Sequence, residues 1–338
     1  MIQFERAIGL LRGNLIEIGK QADKIRKKMH GKNSYYVLNR QINYSNICIS
    51  RCKFCAFARS PGEKGAYLLS NEKIIEEIAK RETDEVHIVG GLHPDLKFDH
   101  YINMIRAIRV NFPDIWIKAF TAAEIDHFTK ISNKPVEAVL EKLKDAGLNA
   151  LTGGGAEIFS DRIRQKLFPK KSDSTRWLFI HRKAHEIGLR SNATMLFGHI
   201  ETDEEIVNHL FKLKELQEQT AGFDAFIALP FHPGNSFLNL SPVSAVKILK
   251  VIALSRIVLS NFLHIKAYWV MLTPKLAEIA QFFGADDLDG TIGKELITHS
   301  AGTASPSAMS EEKLRKLISG AGFTPIRRTG NYRKAALQ

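Results

Sequence analysis

Asn46-Ile47-Cys48-Ile49-Ser50-Arg51-Cys52-Lys53-Phe54-Cys55-Ala56-Phe57 contains every cysteine of this 338-residue chain. The spacing C-x3-C-x2-C puts three thiols into one short loop. Disulfide frameworks use even numbers of cysteines in an oxidising compartment, and this loop meets neither condition. A structural zinc site needs a fourth ligand close by. The nearest histidines, His30 and His87, stand at no finger spacing. Inert core cysteines have no reason to cluster. A cubane iron–sulfur cluster normally takes four thiolates, one per iron. Three would leave one metal corner open to a substrate or cofactor, which turns an electron carrier into a catalyst. Cys48, Cys52 and Cys55 are therefore the candidate ligands of a 4Fe-4S cluster.

Outward from this loop, strand-like and helix-like segments alternate. Residues 35–44 (YYVLNRQINY) are rich in strand formers and run directly into the cysteines. Further strands are expected at 85–89, 115–120, 150–151, 191–197, 225–231 and 266–272, with a last short one near 290–292. Helices fill the gaps with recognisable ends. Pro135 opens one, Gly147 closes it, and Val136, Val139, Leu140 and Leu143 form its apolar stripe. Thr202 and Glu205 make a capping-box pattern.

About eight strands alternating with helices give an α/β fold with the count of a (β/α)8 TIM-type barrel. A doubly wound open sheet is the alternative. Residues 3–30 read as one amphipathic helix capping an end of the fold. The division is 1–34 for an N-terminal helical extension, 35–305 for the barrel and 306–338 for a C-terminal extension. That extension holds a helix at 311–319 and a strand at 324–328.

Apolar content of 44% and charged content of 25% are those of a globular protein. No stretch is apolar enough to span a bilayer, and the N-terminus lacks a secretory pattern. Cytoplasm is the expected compartment, with no membrane insertion. The net charge of +12 raises the question of nucleic acid. Its densest basic stretches, 20–28 and 327–334, do not interleave aromatics in the way a stacking platform would. A basic surface or a small anionic substrate is the better reading, with no nucleic-acid partner.

The chemically suggestive motifs each follow an expected strand, where barrels of this type place their active sites. In Val89-Gly90-Gly91-Leu92-His93-Pro94, Gly90 and Gly91 let the backbone pass close to a ligand, and His93 is a candidate acid or base. In Thr152-Gly153-Gly154-Gly155-Ala156-Glu157, Gly154 allows the same approach and Glu157 offers a carboxylate. Alternation along 191–197 turns Asn192, Thr194 and Leu196 to one face, with His199 at the strand's end. His232, in a Pro-rich turn after the sixth strand, is a further candidate.

The cysteine loop resembles that of the radical S-adenosylmethionine enzymes. Together with K-A-F-T-A-A-E, G-G-G-A-E-I-F, S-N-A-T-M-L-F-G-H, F-H-P-G-N and G-A-D-D-L-D-G-T, it resembles the aminofutalosine synthase family of the futalosine route to menaquinone. Near relatives of that family are the cyclic dehypoxanthinyl futalosine synthases and the tyrosine-using subunit of the deazaflavin (F420 precursor) synthase. Thr152 and Asp286 depart from the pattern, where proline and asparagine are expected.

The resemblance implies a transferase that carries a 4Fe-4S cluster and consumes S-adenosylmethionine. The 5′-deoxyadenosyl radical adds to 3-[(1-carboxyvinyl)oxy]benzoate, the aryl group migrates and a carboxylate is lost. The products are 6-amino-6-deoxyfutalosine, methionine and bicarbonate. An electron donor such as flavodoxin or ferredoxin is implied as a partner. Phe54, Gly90, Gly91, Gly154, Glu157, Asn192 and Thr194 are the implied cofactor contacts, and His93, His199 and Glu157 the catalytic candidates. Arg51, Lys118 and Arg190 are candidate partners for the substrate's two carboxylates.

Overall fold

The structure, a computed structural model, describes residues 2–290 and 293–332. Its strands are β1 (Asn33–Tyr36), β2 (Asn39–Ile42), β3 (Glu85–Ile88), β4 (Trp116–Ala119), β5 (Ala150–Leu151), β6 (Arg190–Phe197), β7 (Phe223–Pro230), β8 (His264–Tyr268), β9 (Asp287–Asp289) and β10 (Thr324–Arg327). They form one parallel sheet in the order β10-β1-β9-β8-β7-β6-β5-β4-β3-β2.

This order dictates the shape. β10 and, beside it, β1 lie at one end of the sheet and β2 is the other end, yet only Val37 and Leu38 separate β1 from β2. Two residues reach about 7 Å, so the sheet must curl until its ends meet. On the two sides of the seam, the Asp84 N–H extends the β2–β3 ladder to the Leu38 carbonyl (2.8 Å) and the Arg328 N–H extends the β1–β10 ladder to the Tyr36 carbonyl (2.9 Å). The seam itself is crossed by the ion pair of Arg327, on β10, with Asp84 at the start of β3 (2.8 Å). The result is a curled parallel β/α barrel with a seam, and the open doubly wound alternative is excluded.

Four expectations change. The strand at 35–44 is broken at Val37-Leu38, because its first half pairs with β9 and β10 and its second half with β3. The strand at 266–272 ends at Tyr268, and Trp269–Leu272 is helical. The last barrel strand is Asp287–Asp289, earlier than expected; Thr291 and Ile292 lie outside the described residues. The N-terminal helix is two helices, Phe4–Arg12 and Leu15–His30. Asn14 between them accepts the Ile16 N–H (2.8 Å) and the Glu17 N–H (3.2 Å), capping the second.

That second helix lies along the outer ring against the helix Ala245–Val258, rather than capping an end. Its basic stretch is partly structural: Arg26 is buried and donates to the carbonyls of Ala285, Gly31 and Asn33. The stripe Val136, Val139, Leu140 and Leu143 is buried as its spacing requires. The capping box of Thr202 and Glu205 is formed in both directions.

Inside the curl the strands alternate, and the lower barrel is filled with paired charges. Lys118 meets Glu85 (2.8 Å), Lys266 meets Asp289 (2.5 Å) and Arg328 meets Asp287 (2.6 Å). At the floor, Arg190 meets Asp224 (2.7 Å). Also at the floor, Asp286 receives Arg256, the Ile265 N–H and His264 Nδ1 (2.5 Å). His30 Nε2 lies 3.4 Å from Asp286 and donates to the Leu263 carbonyl (2.9 Å). Asp286, one of the two departures from the family pattern, therefore sits far from the cysteines.

Candidate active site

A cavity of about 320 Å³ opens at the C-terminal ends of the strands. Cys48, Cys52 and Cys55 all line it, and none is in a disulfide. Their loop is held by its own backbone. The Cys48 N–H donates to the Arg59 carbonyl (3.0 Å), the Ile49 N–H to Leu92 (3.0 Å) and the Lys53 N–H to Leu167 (2.9 Å).

The glycine pair after β3 explains how the loop fits. A Cβ on Gly91 would fall 2.1 Å from the Ile47 carbonyl oxygen, and one on Gly90 would fall 2.5 Å from the Tyr44 ring. Both glycines line the cavity, but their spatial requirement is the approach of the cysteine loop itself. Glu124 ties this region together. It accepts from the Gly90 N–H (3.1 Å), the Tyr44 hydroxyl (2.8 Å) and the Thr121 N–H (2.7 Å). Burial pushes its carboxyl up to about 7. Thr121 and Glu124 form a capping box at the start of the helix Ala122–Ser132, and this T-x-x-E pattern was the available signal in K-A-F-T-A-A-E.

The thiols are desolvated. Burial pushes the Cys52 thiol up to about 11 and the Cys55 thiol up as well. Ser50 lies against them, its hydroxyl 3.2 Å from Cys52 Sγ and its N–H 3.4 Å from Cys48 Sγ. The Lys171 ammonium stands beside Glu157, close enough to Cys52 and Cys55 to feel both. Burial opposes its charge, and the thiol and carboxylate neighbours outweigh that and hold it protonated. Three soft donors on one cavity wall, with a cation nearby to offset thiolate charge, fit a cluster held by three sulfurs. Loading it must displace thiol protons.

The opposite lip comes from the loops after β5 and β6. A Cβ on Gly153 would fall 2.9 Å from the backbone of Asn192 and Ala193, so the triple glycine packs flat on β6. The Gly154 carbonyl accepts from Trp177 Nε1 (3.2 Å), and Thr194 donates to the Gly153 carbonyl (2.8 Å). Gly154, Glu157, Thr194, Leu196 and Phe54 all line the cavity. The Phe54 ring meets Phe168 edge-on at 5.8 Å, and Lys171 lies 5.5 Å from its centroid. Asn192 is buried with both amide atoms unpartnered and does not reach the cavity wall.

Several candidates lie elsewhere. His93 is off the cavity wall: its Nδ1 accepts the Asp95 N–H (3.2 Å), and its carbonyl takes His127 Nε2 (2.9 Å). His199 is also off it. Its Nε2 donates to the Leu196 carbonyl (3.2 Å) and its Nδ1 accepts the Ile200 N–H (2.7 Å), which fixes the turn after β6. His232 does line the cavity, tied to the Met271 carbonyl (2.9 Å).

The cations expected for substrate carboxylates are engaged away from the cavity. Arg51 pairs with Glu63 (3.1 Å) on the outer face, Lys118 is locked to Glu85 inside the barrel, and Arg190 lies at the floor. Among the described residues, Lys171 is the only lysine or arginine on the cavity wall. Lys171, Gln41, His87, Tyr268 and Glu295 line the cavity without a motif to announce them. Tyr268, on β8, donates to Gln41 Oε1 on β2 (3.0 Å) and so reaches across the seam.

Residues 42–213 match the family model of the radical SAM superfamily, and residues 220–338 match that of the CofH/MqnC C-terminal region. The chain is 41% identical to the aminodeoxyfutalosine synthase of Thermus thermophilus, over 93% of this chain and 86% of that one. It is 37% identical to that of Streptomyces coelicolor, over 94% and 86%. It is also 36% identical to the 5-amino-6-(D-ribitylamino)uracil–L-tyrosine 4-hydroxyphenyl transferase of Methanopyrus kandleri, over 96% and 91%. Among solved structures, the FeFe-hydrogenase maturase HydG of Carboxydothermus hydrogenoformans superposes with a TM-score of 0.77 at 19% identity, covering 98% of this chain and 77% of that one. Methylornithine synthase superposes with a TM-score of 0.74 at 17% identity, covering 97% and 95%. These two likenesses speak for the fold.

Proposed function

The chain belongs to the radical S-adenosylmethionine superfamily and, within it, to the family of the aminodeoxyfutalosine synthases; from that premise we propose that it is an aminodeoxyfutalosine synthase of menaquinone biosynthesis. In this reading S-adenosylmethionine, 3-[(1-carboxyvinyl)oxy]benzoate and water give 6-amino-6-deoxyfutalosine, methionine and bicarbonate, with transfer of the adenosyl group and formation of a carbon–carbon bond. The observation that carries it is the meeting of three unpaired cysteines and a triple-glycine loop across one cavity at the barrel's mouth.

A 4Fe-4S cluster with bound S-adenosylmethionine supplies the 5′-deoxyadenosyl radical. Cys48, Cys52 and Cys55 would hold that cluster. Lys171 and Glu157 offer an ammonium and a carboxylate beside it, complementary to the two charged groups of a methionine moiety. Gly90, Gly91 and Gly154 keep the wall shallow, Phe54 offers a ring face to the adenine, and Thr194 positions the glycine loop from below. Addition of a radical to a double bond needs the reacting carbons near contact distance, about 3–3.5 Å, which buried walls that exclude water would support.

Electrons would come from a small carrier such as flavodoxin or ferredoxin. A second cavity, on the outer face of the loop, reaches Cys52 and Cys55 from outside beside Arg51, Arg59 and the exposed Phe237.

One observation favours a second reading. A wall with a single ammonium and many neutral donors also suits tyrosine and a ribityl-substituted uracil, the two compounds in the name of the 36%-identical relative.

Anaerobic reconstitution with iron and sulfide, followed by mass analysis, separates the readings. The enolpyruvyl ether should give the adenosyl adduct as the main product. Free 5′-deoxyadenosine with no adduct overturns the proposal. Turnover of tyrosine with the uracil, or of dehypoxanthinyl futalosine, moves the assignment to the corresponding relative.

A further inference from the structure

We infer that His87 is a substrate-recognition residue, hydrogen-bonding a carboxylate of the molecule that reacts with the adenosyl group. The inference rests on the proposed reading for the identity of that molecule, but not for the existence of the contact.

The argument begins with register. In β3, Glu85 and His87 point into the barrel while Val86 and Ile88 face the helices. His87 pairs in register with Gln41 of β2 on one side and Lys118 of β4 on the other. It therefore stands one step above the Glu85–Lys118 ion pair and lines the cavity.

His87 has no hydrogen-bond partner among the described residues. Nearly every other histidine has at least one ring nitrogen bonded, including His93, His199 and His232. The exception is His100 on the outer helix Phe98–Asn111. A polar group left unpaired inside a protein costs about 1–3 kcal/mol, and native structures rarely keep one without a ligand or water.

The ring is also uncharged. Burial, and then Lys118, push it down to about 4, against the opposing pull of Glu85 and Asp289. A neutral imidazole offers one N–H donor and one acceptor. A carboxylate entering the cavity needs donors, and Lys171 is already committed to Glu157 on the cysteine side.

The position within the barrel completes the case. Glu157, Thr194 and Gly154 belong to the loops after β5 and β6, while Gln41, His87 and Tyr268 stand on β2, β3 and β8. Sheet order places β8 and β2 across the barrel from β5 and β6. The cysteine loop and Gly90-Gly91 follow the C-terminal ends of β2 and β3, so a nucleotide held by them and by the triple glycine lies above Gln41 and His87 and leaves these strand-borne groups to the other reactant.

The test compares the parent protein with His87→Leu and His87→Gln, each reconstituted anaerobically. Calorimetry without reductant gives the affinity for the enolpyruvyl ether in the presence of S-adenosylmethionine. Turnover gives the ratio of adduct to free 5′-deoxyadenosine. His87→Leu should weaken ether binding about tenfold or more and lower that ratio, with S-adenosylmethionine affinity within about twofold of the parent. His87→Gln, which keeps a neutral N–H, should recover most of the affinity. Parental ether binding in His87→Leu overturns the inference, as does an equal loss of S-adenosylmethionine binding. If the parent itself does not bind the ether, the functional reading fails instead. The same variants are then measured with tyrosine, where a loss confined to tyrosine in His87→Leu supports the contact and no loss overturns it.

Discussion

The two ends of this barrel treat polar groups in opposite ways. At the floor, charges are brought together with partners: Asp286 with Arg256 and His264, and Arg190 with Asp224. At the mouth, uncharged polar groups are left open beside the one ion pair of Lys171 and Glu157. Three thiols share one wall without a disulfide, the His87 ring has no partner among the described residues, and the buried Thr152 hydroxyl is unpaired. A buried charge is tolerable only when paired, so paired charges report on the fold. Open polar groups at one cavity report on what the protein binds. The His30–His264–Asp286 group illustrates the distinction. It has the composition of a metal site, yet its atoms are already satisfied by Arg256, Ile265 and Leu263.

The contrast can be broken or sharpened by substitution. The largest effect is expected at the mouth: Cys52→Ala should leave no cluster absorbance and no product, with a melting temperature close to that of the cluster-free parent. Retained activity would remove Cys52 from the ligand set.

At the floor the pattern should reverse. Asp286→Asn leaves Arg256 and His264 without their carboxylate and should cost about 3–5 kcal/mol in denaturant unfolding, while the folded fraction still binds S-adenosylmethionine. Burial raises the Asp286 pKa, but His264 and Arg256 outweigh it and hold the carboxyl well below the usual range. Its contribution is therefore present above about pH 4, the ordinary aspartate value, and is lost as pH falls below that. The stability gap between variant and parent should narrow in acid. A gap independent of pH would show that the carboxylate charge is not what holds the floor.

The smallest of the three effects is at the lip. Glu157→Gln should weaken S-adenosylmethionine binding about tenfold, the loss of one charge-assisted hydrogen bond, with little change in unfolding midpoint. Unchanged affinity would leave Glu157 as only a partner for Lys171.

Much of this was legible before any coordinates. The C-x3-C-x2-C loop, the alternation of strands and helices, the stripe from Val136 to Leu143 and the Thr202–Glu205 cap are local patterns, and each appears where its spacing puts it. Asn192, Thr194 and Leu196 share the inward side of β6 for the same reason. The histidines were not legible. His93 and His199 follow strands just as the motif logic requires, yet each turns its ring back onto a neighbouring backbone group. His87 sits within a strand, with no motif, and faces the cavity. For His93 and His199 the partners are chain neighbours, Asp95, Leu196 and Ile200, so the turn that follows each strand decides where the ring goes.

The amino-acid order by itself determined the sulfur loop, the βα repeat and the inward faces of the strands, because these depend on spacings of two to four residues along one chain segment. Only the folded chain decided that the sheet curls at Val37-Leu38. It alone decided that Lys171 meets Glu157, that Tyr268 reaches Gln41 across the seam, and that Arg51, Lys118 and Arg190 spend their charge elsewhere. Those outcomes are governed by burial and by charges brought together from distant positions, and a buried charge takes whatever partner the packing supplies.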